Sequence, residues 1–170
     1  MTLRLVLSRH AKSSWDDPTL DDHARPLNGR GRRSARAIGA WLRTRGDVPR
    51  QVLCSDARRT RETWEEIESE LQSGARLTLL SALYHATPQD ILAALHRAAE
   101  ASPLLLIGHN PGIGLAARAL AGTPPSHPRF DRYPTAATTV MEFPISDWSQ
   151  AEWGTGEVTA FTVPRDLGVS

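Results

Sequence analysis

Three short polar segments each follow a predicted β-strand and carry side chains of the types that bind phosphate. The segments occupy residues 9–13, 55–59 and 108–112. Their chemically capable side chains are those of Arg9, His10, Arg58, Arg59 and His109. Ligands of open α/β sheets bind outside the carboxyl ends of the strands, so we expect the three segments to line one pocket. Guanidinium and imidazole groups around one pocket suit a phosphoryl group.

The helix predicted after the second segment has a charge order that opposes its own dipole. Arg58, Arg59 and Arg61 lie in its first turns, whereas a run of glutamates follows from Glu65 onward. A helix dipole favours acidic residues near the N-terminus, and the reversed order costs on the order of a few tenths of a kcal/mol per exposed residue. An anion bound at the helix start would account for the arrangement. The alternative is an arginine-rich composition without function, since 19 of the 20 basic residues are arginine.

The spacing of apolar residues predicts the strands and helices that position these segments. Strands are predicted at residues 3–8, 51–54, 76–80, 104–107, 138–143 and 157–163. Helices are predicted at residues 28–45, from a cap at Ser55 or Asp56 to about residue 71, at 88–100 and at 110–121, with an irregular loop at 122–134. This order predicts an α/β fold of three α/β/α layers around a mostly parallel, mixed sheet of about six strands.

Length and composition predict one soluble domain spanning residues 1–170. The chain is 40% hydrophobic with a net charge of +1, which is ordinary for a globular protein. No apolar run approaches the ~20 residues that span a bilayer. Arg4 and Arg9 interrupt the N-terminal apolar stretch, so no signal peptide is expected. The single cysteine, Cys54, excludes an internal disulfide, and we expect a cytoplasmic protein.

Four blocks of sequence resemble, in order, the blocks of one enzyme family. They are residues 9–15, residues 22–31, Ser55 with Arg59 and Thr63, and residues 108–111. An Arg-His pair alone is a weak signal, but these blocks extend in register from residue 3 to about residue 120. The chain thus resembles the histidine phosphatase superfamily, which is phosphoglycerate mutase-like, and within it the short bacterial branch of SixA-type phosphohistidine phosphatases.

The resemblance implies a phosphatase with a histidine nucleophile and with no cofactor or metal. His10 would take the phosphoryl group, and Arg9, Arg59 and His109 would complete the phosphate pocket. A neutral imidazole is a competent nucleophile near its pKa of about 6.5 when its other nitrogen is oriented by a hydrogen bond. The further substrate-binding candidates are Asp22, Arg25, Ser14 and Asp16. For Asp22 and Arg25, an exposed acidic loop with a paired arginine is the alternative.

A glutamate is missing where ester-cleaving members of the superfamily often carry their general acid. Residues 76–90 contain no Glu, and Asp90 lies at the far end of that stretch. A P–O ester needs its leaving alkoxide protonated, whereas a protonated phosphohistidine leaves as neutral imidazole. The sequence therefore favours a phosphohistidine-containing protein as the substrate. Asp22 remains a candidate acid, and a small-molecule phosphomonoester remains the alternative substrate.

Other functions fit the sequence less well. A cysteine phosphatase needs an arginine six residues after Cys54, where Thr60 stands. The acidic pairs at residues 16–17 and 21–22 are candidates for Mg²⁺, but the motifs of metal hydrolases are missing. A mutase of the same superfamily would need the missing Glu, and the near-zero net charge disfavours binding to nucleic acid. A phosphoprotein-binding pseudoenzyme without catalysis remains the alternative from another class.

Overall fold

A six-stranded mixed sheet contains a strand at every position where the sequence predicts one. The computed structural model describes residues 1–99 and 101–169. The strands are β1 (Leu3–Arg9), β2 (Gln51–Ser55), β3 (Arg76–Leu80), β4 (Leu104–Gly108), β5 (Thr138–Phe143) and β6 (Glu157–Thr162). The α-helices are α1 (Gly29–Arg45), α2 (Arg58–Leu71), α3 (Pro88–His96) and α4 (Gly112–Leu120).

The strand order places the three polar segments side by side. The order across the sheet is β3-β2-β4-β1-β5-β6. Strands β3, β2, β4 and β1 run parallel, whereas β5 pairs antiparallel with both β1 and β6. The carboxyl ends of β2, β4 and β1 are therefore adjacent at one edge of the sheet. The predicted α/β class and the mostly parallel, mixed sheet are confirmed.

Helices cover both faces of the sheet, because the central strands are apolar on both sides. Alternate residues of β1 point to opposite faces, so Leu5 and Leu7 join one hydrophobic cluster and Val6 joins the other. Side chains of α3 and α4 complete the first cluster, and side chains of α1 and α2 complete the second. All five residues of β4 are buried, as expected for a parallel strand between two helical layers.

Three helix ends have well-defined caps. Asn28 precedes α1, and its side chain accepts a hydrogen bond from the Gly31 N–H at 2.8 Å. Gly46 ends α1 in the left-handed region, with φ of 77°. Thr87 and Asp90 form a capping box around Pro88 at the start of α3.

The predicted cap of α2 is wrong. Ala57 occupies the N-cap position without a side-chain hydrogen bond, and α2 begins at Arg58. Ser55 is the last residue of β2, and its hydroxyl lies 2.7 Å from His109 Nε2. The Ser55 hydroxyl, which the local pattern offered as a helix cap, therefore contacts a residue 54 positions away in the sequence.

Two further helix boundaries differ from the prediction. Helix α3 was expected at residues 88–100 but ends at His96, where the Arg97 N–H bonds to carbonyls of the last turn. Residue 100 lies outside the described residues. Helix α4 was expected from residue 110, but it begins at Gly112 and ends at Leu120. Across residues 1–99 and 101–169, no helix combines the length and the apolar character needed to cross a membrane.

Gly31 allows α1 to approach the segment that follows β1. A Cβ atom on Gly31 would lie 2.1 Å from the Lys12 carbonyl oxygen, which is a backbone atom. The same carbonyl accepts a hydrogen bond from the Asn28 N–H at 3.0 Å. The start of α1 is therefore packed against the backbone two residues after His10.

Replacing Gly31 by alanine is expected to destabilise the protein. The methyl group would force backbone apart at the Lys12 carbonyl, and overpacking of this kind costs about 1–3 kcal/mol of unfolding free energy. Gly29→Ala is the matched control, because its nearest neighbour is the flexible Arg33 side chain at 3.5 Å. Denaturant unfolding of the two variants measures the difference. Equal stabilities would contradict the importance of this close approach.

Candidate active site

The two histidines that follow β1 and β4 face each other at the carboxyl edge of the sheet. The ring centroids of His10 and His109 lie 5.3 Å apart. The His10 N–H donates to the Gly108 carbonyl at 3.0 Å, which extends the pairing of β1 with β4 to the site. Arg9 is the last residue of β1, and Arg59 lies in the first turn of α2. The structure thus brings together the four residues that the sequence assigns to catalysis.

His10 is held in one tautomer with Nε2 available. The residue is 6% exposed, and its Nδ1 lies 2.7 Å from the Ala11 carbonyl oxygen. A carbonyl can only accept, so Nδ1 carries the hydrogen and Nε2 keeps its lone pair. Burial lowers the pKa of His10 to about 3, and the positive charge of Arg9 acts in the same direction. The ring is therefore uncharged at neutral pH.

His109 is a second uncharged imidazole in the same pocket. Burial lowers its pKa to about 3, and the neighbouring Arg59 contributes to the shift. Its Nε2 lies 2.7 Å from the Ser55 hydroxyl. Its Nδ1 is buried and has no hydrogen-bond partner in the part of the chain that the structure describes.

Arg9 and Arg59 place two positive charges beside the histidines. Burial lowers the pKa of Arg9, and the like charge of Arg59 adds to this effect. Arg9 Nη1 donates to the Tyr133 carbonyl at 3.3 Å, and the described residues give Arg9 no carboxylate partner. Arg59 pairs with the Asp22 carboxylate and Arg9 repels Arg59, so the two guanidinium groups favour a further negative charge.

Unused hydrogen-bonding capacity is concentrated at this site. Four buried side-chain atoms lack a partner among residues 1–99 and 101–169. Three of them belong to the site, namely Arg9 Nε, Arg59 Nε and His109 Nδ1. Native proteins leave few buried polar atoms unpaired, so such a concentration is typical of a site built for a ligand. Unpaired cationic N–H groups favour an anion.

Asp22 is held as a carboxylate. Its Oδ2 accepts from the Tyr84 hydroxyl at 2.5 Å and from Arg59 Nη2 at 3.0 Å. Its Oδ1 accepts from Arg25 Nε at 3.2 Å. The Tyr84 hydrogen bond above all, together with Arg59 and Arg25, holds the pKa of Asp22 well below its usual range. Asp22 is therefore poorly suited to donate a proton from this arrangement.

Arg25 lies inside the site rather than in an exposed loop. The residue is buried, and its Nη1 donates to the Ser13 hydroxyl at 2.8 Å and to the Ser14 carbonyl at 3.2 Å. Its guanidinium carbon lies 3.5 Å from the ring centroid of Trp15. The arginine is paired with Asp22, as the alternative interpretation expected, but it is not solvated.

Ser14 and Asp16 are not brought to the histidines by their described contacts. The Ser14 hydroxyl accepts from the Asp16 N–H at 3.1 Å, and the bond is exposed. Asp16 itself is exposed. Their proposed role in binding the phosphate stays a prediction.

Sequence reasoning missed Tyr84 and His85. The search for an acid after β3 considered only glutamate and aspartate, and these two residues occupy that place. The Tyr84 ring lies edge-on to His109, with centroids 5.4 Å apart, and His85 lies 3.9 Å from Tyr84. His85 has a left-handed φ of 59°, which is uncommon for a residue with a side chain. The sequence signal that could have identified them is the pair of adjacent aromatic side chains, Tyr84 and His85, soon after a predicted strand.

The cysteine and metal-ligand chemistries weighed above gain no support from the geometry. Cys54 is buried in β2, and burial raises the pKa of its thiol to about 12. A thiol in this state is a poor nucleophile. In the described ranges, no three His, Cys, Asp or Glu side chains are grouped as a metal ion would require.

Comparison with known proteins identifies the family. Residues 5–84 match the histidine phosphatase superfamily (branch 1). An uncharacterized protein of Mycobacterium leprae is 34% identical over 165 residues, which cover 92% of this chain and 99% of the relative. The chain belongs to the histidine phosphatase superfamily. This protein is a histidine-nucleophile phosphohydrolase.

Solved structures of SixA proteins share the fold. One is a Nakamurella multipartitia protein that is provisionally assigned as the phosphohistidine phosphatase SixA. It superposes with a TM-score of 0.79 and is 29% identical, and the match covers 96% of this chain and 97% of the Nakamurella chain. The protein histidine phosphatase SixA in complex with tungstate gives a TM-score of 0.77 at 23% identity over 97% and 99% of the two chains, which shows a common fold. The expected resemblance to the SixA branch is confirmed.

Arg59 and its neighbour Arg58 provide a test of the site. Arg59 is buried and faces Asp22, whereas Arg58 is exposed and donates to Glu62 at 3.0 Å. Successive helix residues differ by about 100° in direction, so only one of the two points into the pocket. Removal of a transition-state donor costs about 10²–10³ in rate. We expect that loss in kcat/KM for Arg59→Ala and a change of no more than about three-fold for Arg58→Ala. The reverse order would refute the assignment.

Proposed function

We propose that this protein removes the phosphoryl group from phosphohistidine in a partner protein, by way of a phosphorylated His10. The observation that supports the proposal most directly is the state of His10. Its Nδ1 donates to the Ala11 carbonyl, its Nε2 has no hydrogen-bond partner among residues 1–99 and 101–169, and Arg9, Arg59 and His109 lie around it. Neutral, oriented imidazole beside cationic donors is what attack on a phosphoryl group requires.

The first chemical step is phosphoryl transfer to His10. The Nε2 lone pair forms a bond to phosphorus, and the P–N bond of the substrate breaks, with its electrons returning to the substrate's imidazole. Arg9 and Arg59 stabilise the negative charge on the phosphoryl oxygens during transfer. His10 keeps its Nδ1 hydrogen on the Ala11 carbonyl, so the phosphoenzyme is the protonated form of phosphohistidine.

The second step is hydrolysis of the phosphoenzyme. A water oxygen bonds to phosphorus, the P–Nε2 bond breaks, and His10 returns as a neutral imidazole with its Nδ1 hydrogen in place. The proton released by the water needs an acceptor. An oxygen of the departing phosphate takes this proton, because burial lowers the pKa of the neighbouring His109 to about 3 and makes its imidazole a weak base.

The preference for a P–N bond follows from the groups around the pocket. The exit of β3 carries Tyr84 and His85 instead of a glutamate, and Asp22 is held ionised. No carboxylic acid of the site is therefore ready to protonate a leaving alkoxide. A protonated phosphohistidine needs no such proton, because its imidazole leaves uncharged.

Hydrolysis of small phosphomonoesters is the second candidate function. It is favoured by His85, which lies against Tyr84 and lines, together with His109, a cleft of about 300 Å³. A histidine side chain there is a candidate general acid for a leaving oxygen. A phosphoprotein-binding pseudoenzyme explains less, because binding alone does not require an oriented, uncharged His10.

The two candidate functions predict different orders of substrates. We expect kcat/KM to be highest for a phosphohistidine protein, intermediate for an aryl phosphate and lowest for an alkyl phosphate. The alkyl ester lacks the help of a general acid, which is worth about 10²–10⁴ in rate. The assays use one buffer without added metal. Equal or faster turnover of the alkyl phosphate would contradict the proposal and favour the ester phosphatase.

A further inference from the structure

Tyr84 lies at the centre of the site, although no step described above uses its atoms. Its ring is edge-on to His109 and to His23, with centroids 5.4 and 4.9 Å away. The guanidinium carbon of Arg59 lies 5.9 Å from the ring centroid. Tyr84 thus contacts groups that belong to three other segments of the chain.

Asp22 depends on its neighbours for a fixed position. Its side chain is 44% exposed and lies in the short 3₁₀ helix Asp22–Ala24, so packing restricts it little. Its ion-pair partners Arg25 and Arg59 are buried, with side chains 8% and 7% exposed, whereas the Asp22 carboxylate itself faces solvent. The hydrogen bond from the Tyr84 hydroxyl, at 2.5 Å, is shorter than the bonds from Arg59 and Arg25, at 3.0 and 3.2 Å. A short O–H···O⁻ bond of this kind is charge-assisted and strong.

Arg59 in turn depends on Asp22. Its Nη1 donates to the Asp22 carbonyl at 2.7 Å, and its Nη2 donates to Asp22 Oδ2. One residue therefore holds both terminal nitrogens of the guanidinium. Arg59 Nε is buried without a partner in the described chain. A group that holds Asp22 in place therefore also sets the orientation of the Arg59 guanidinium and of its remaining N–H groups.

We propose that Tyr84 is a positioning residue for phosphoryl transfer: its hydroxyl fixes the Asp22 carboxylate, which holds the Arg59 guanidinium at the phosphoryl site. A tyrosine suits this role because its ring has few torsions and is packed among His109, His23 and His85. The inference rests on the proposed role of Arg59 in transfer. It does not depend on which leaving group the enzyme prefers.

The test is a double-mutant cycle between Tyr84→Phe and Asp22→Asn, assayed with an aryl phosphate. Tyr84→Phe removes only the hydroxyl, and we expect kcat to fall about 10-fold while KM changes little, since misdirected transition-state groups cost rate. In the Asp22→Asn background, the same change should lower kcat by less than about two-fold, because coupled residues are not additive. Equal factors in the two backgrounds, or an unchanged kcat in Tyr84→Phe, would overturn the proposal.

Tyr133→Phe is the matched control, because Tyr84 and Tyr133 are the two tyrosines of the chain. The Tyr133 hydroxyl bonds within the core to the Leu7 carbonyl and to the Thr139 hydroxyl. We expect its loss to lower the melting temperature and to affect kcat equally with and without Asp22→Asn. Coupling of Tyr133 to Asp22 as strong as that of Tyr84 would overturn the proposal.

The same double-mutant cycle can be measured without turnover, by comparing the affinities of the variants for tungstate, a phosphate mimic. We expect Tyr84→Phe to weaken tungstate binding about five-fold in the native background and not in Asp22→Asn. This readout separates the inference from the proposed function. Loss of coupling in tungstate binding contradicts the role of Tyr84, whereas failure to hydrolyse phosphohistidine contradicts only the proposed substrate.

Discussion

The guanidinium groups of the half-buried Arg9 and the buried Arg59 lie beside two buried imidazoles at one edge of the sheet. Burial of the rings, together with the smaller effect of the positive charges, keeps His10 and His109 uncharged at neutral pH. An uncharged His10 retains the lone pair that attacks phosphorus, and the same arginines attract the phosphoryl group. One electrostatic arrangement therefore supplies the nucleophile and the binding site together.

The topology of the sheet makes this arrangement possible. Strands β2, β4 and β1 are adjacent and parallel, so the segments that carry Arg59, His109 and His10 leave the sheet at the same edge. Apolar residues on both faces of β4 bury the sheet between helical layers, which excludes water from beneath the pocket. The close packing of Gly31 against the Lys12 carbonyl anchors the segment after His10.

Local patterns in the sequence account for most of the fold and for the meeting of the strand-exit segments, whereas the roles of the four central residues came from the family resemblance. The alternation in β1 and the apolar run of β4 reflect burial on defined faces, and a short window of residues reveals both. The cap of α2 was wrong because the Ser55 hydroxyl engages His109, a contact that no local pattern encodes. Tyr84 was missed because only glutamate and aspartate were considered after β3, and its hydrogen bond to Asp22 spans 62 residues of sequence.

The identity of the phosphorylated residue tests the central claim most directly. The enzyme would be mixed with a radiolabelled phosphoryl donor, quenched within the first turnover and digested for peptide mapping. The account predicts an acid-labile, base-stable phosphate on His10 and no phosphoenzyme in His10→Ala. Label on His109 or on any other residue, or near-normal turnover by His10→Ala, would contradict it.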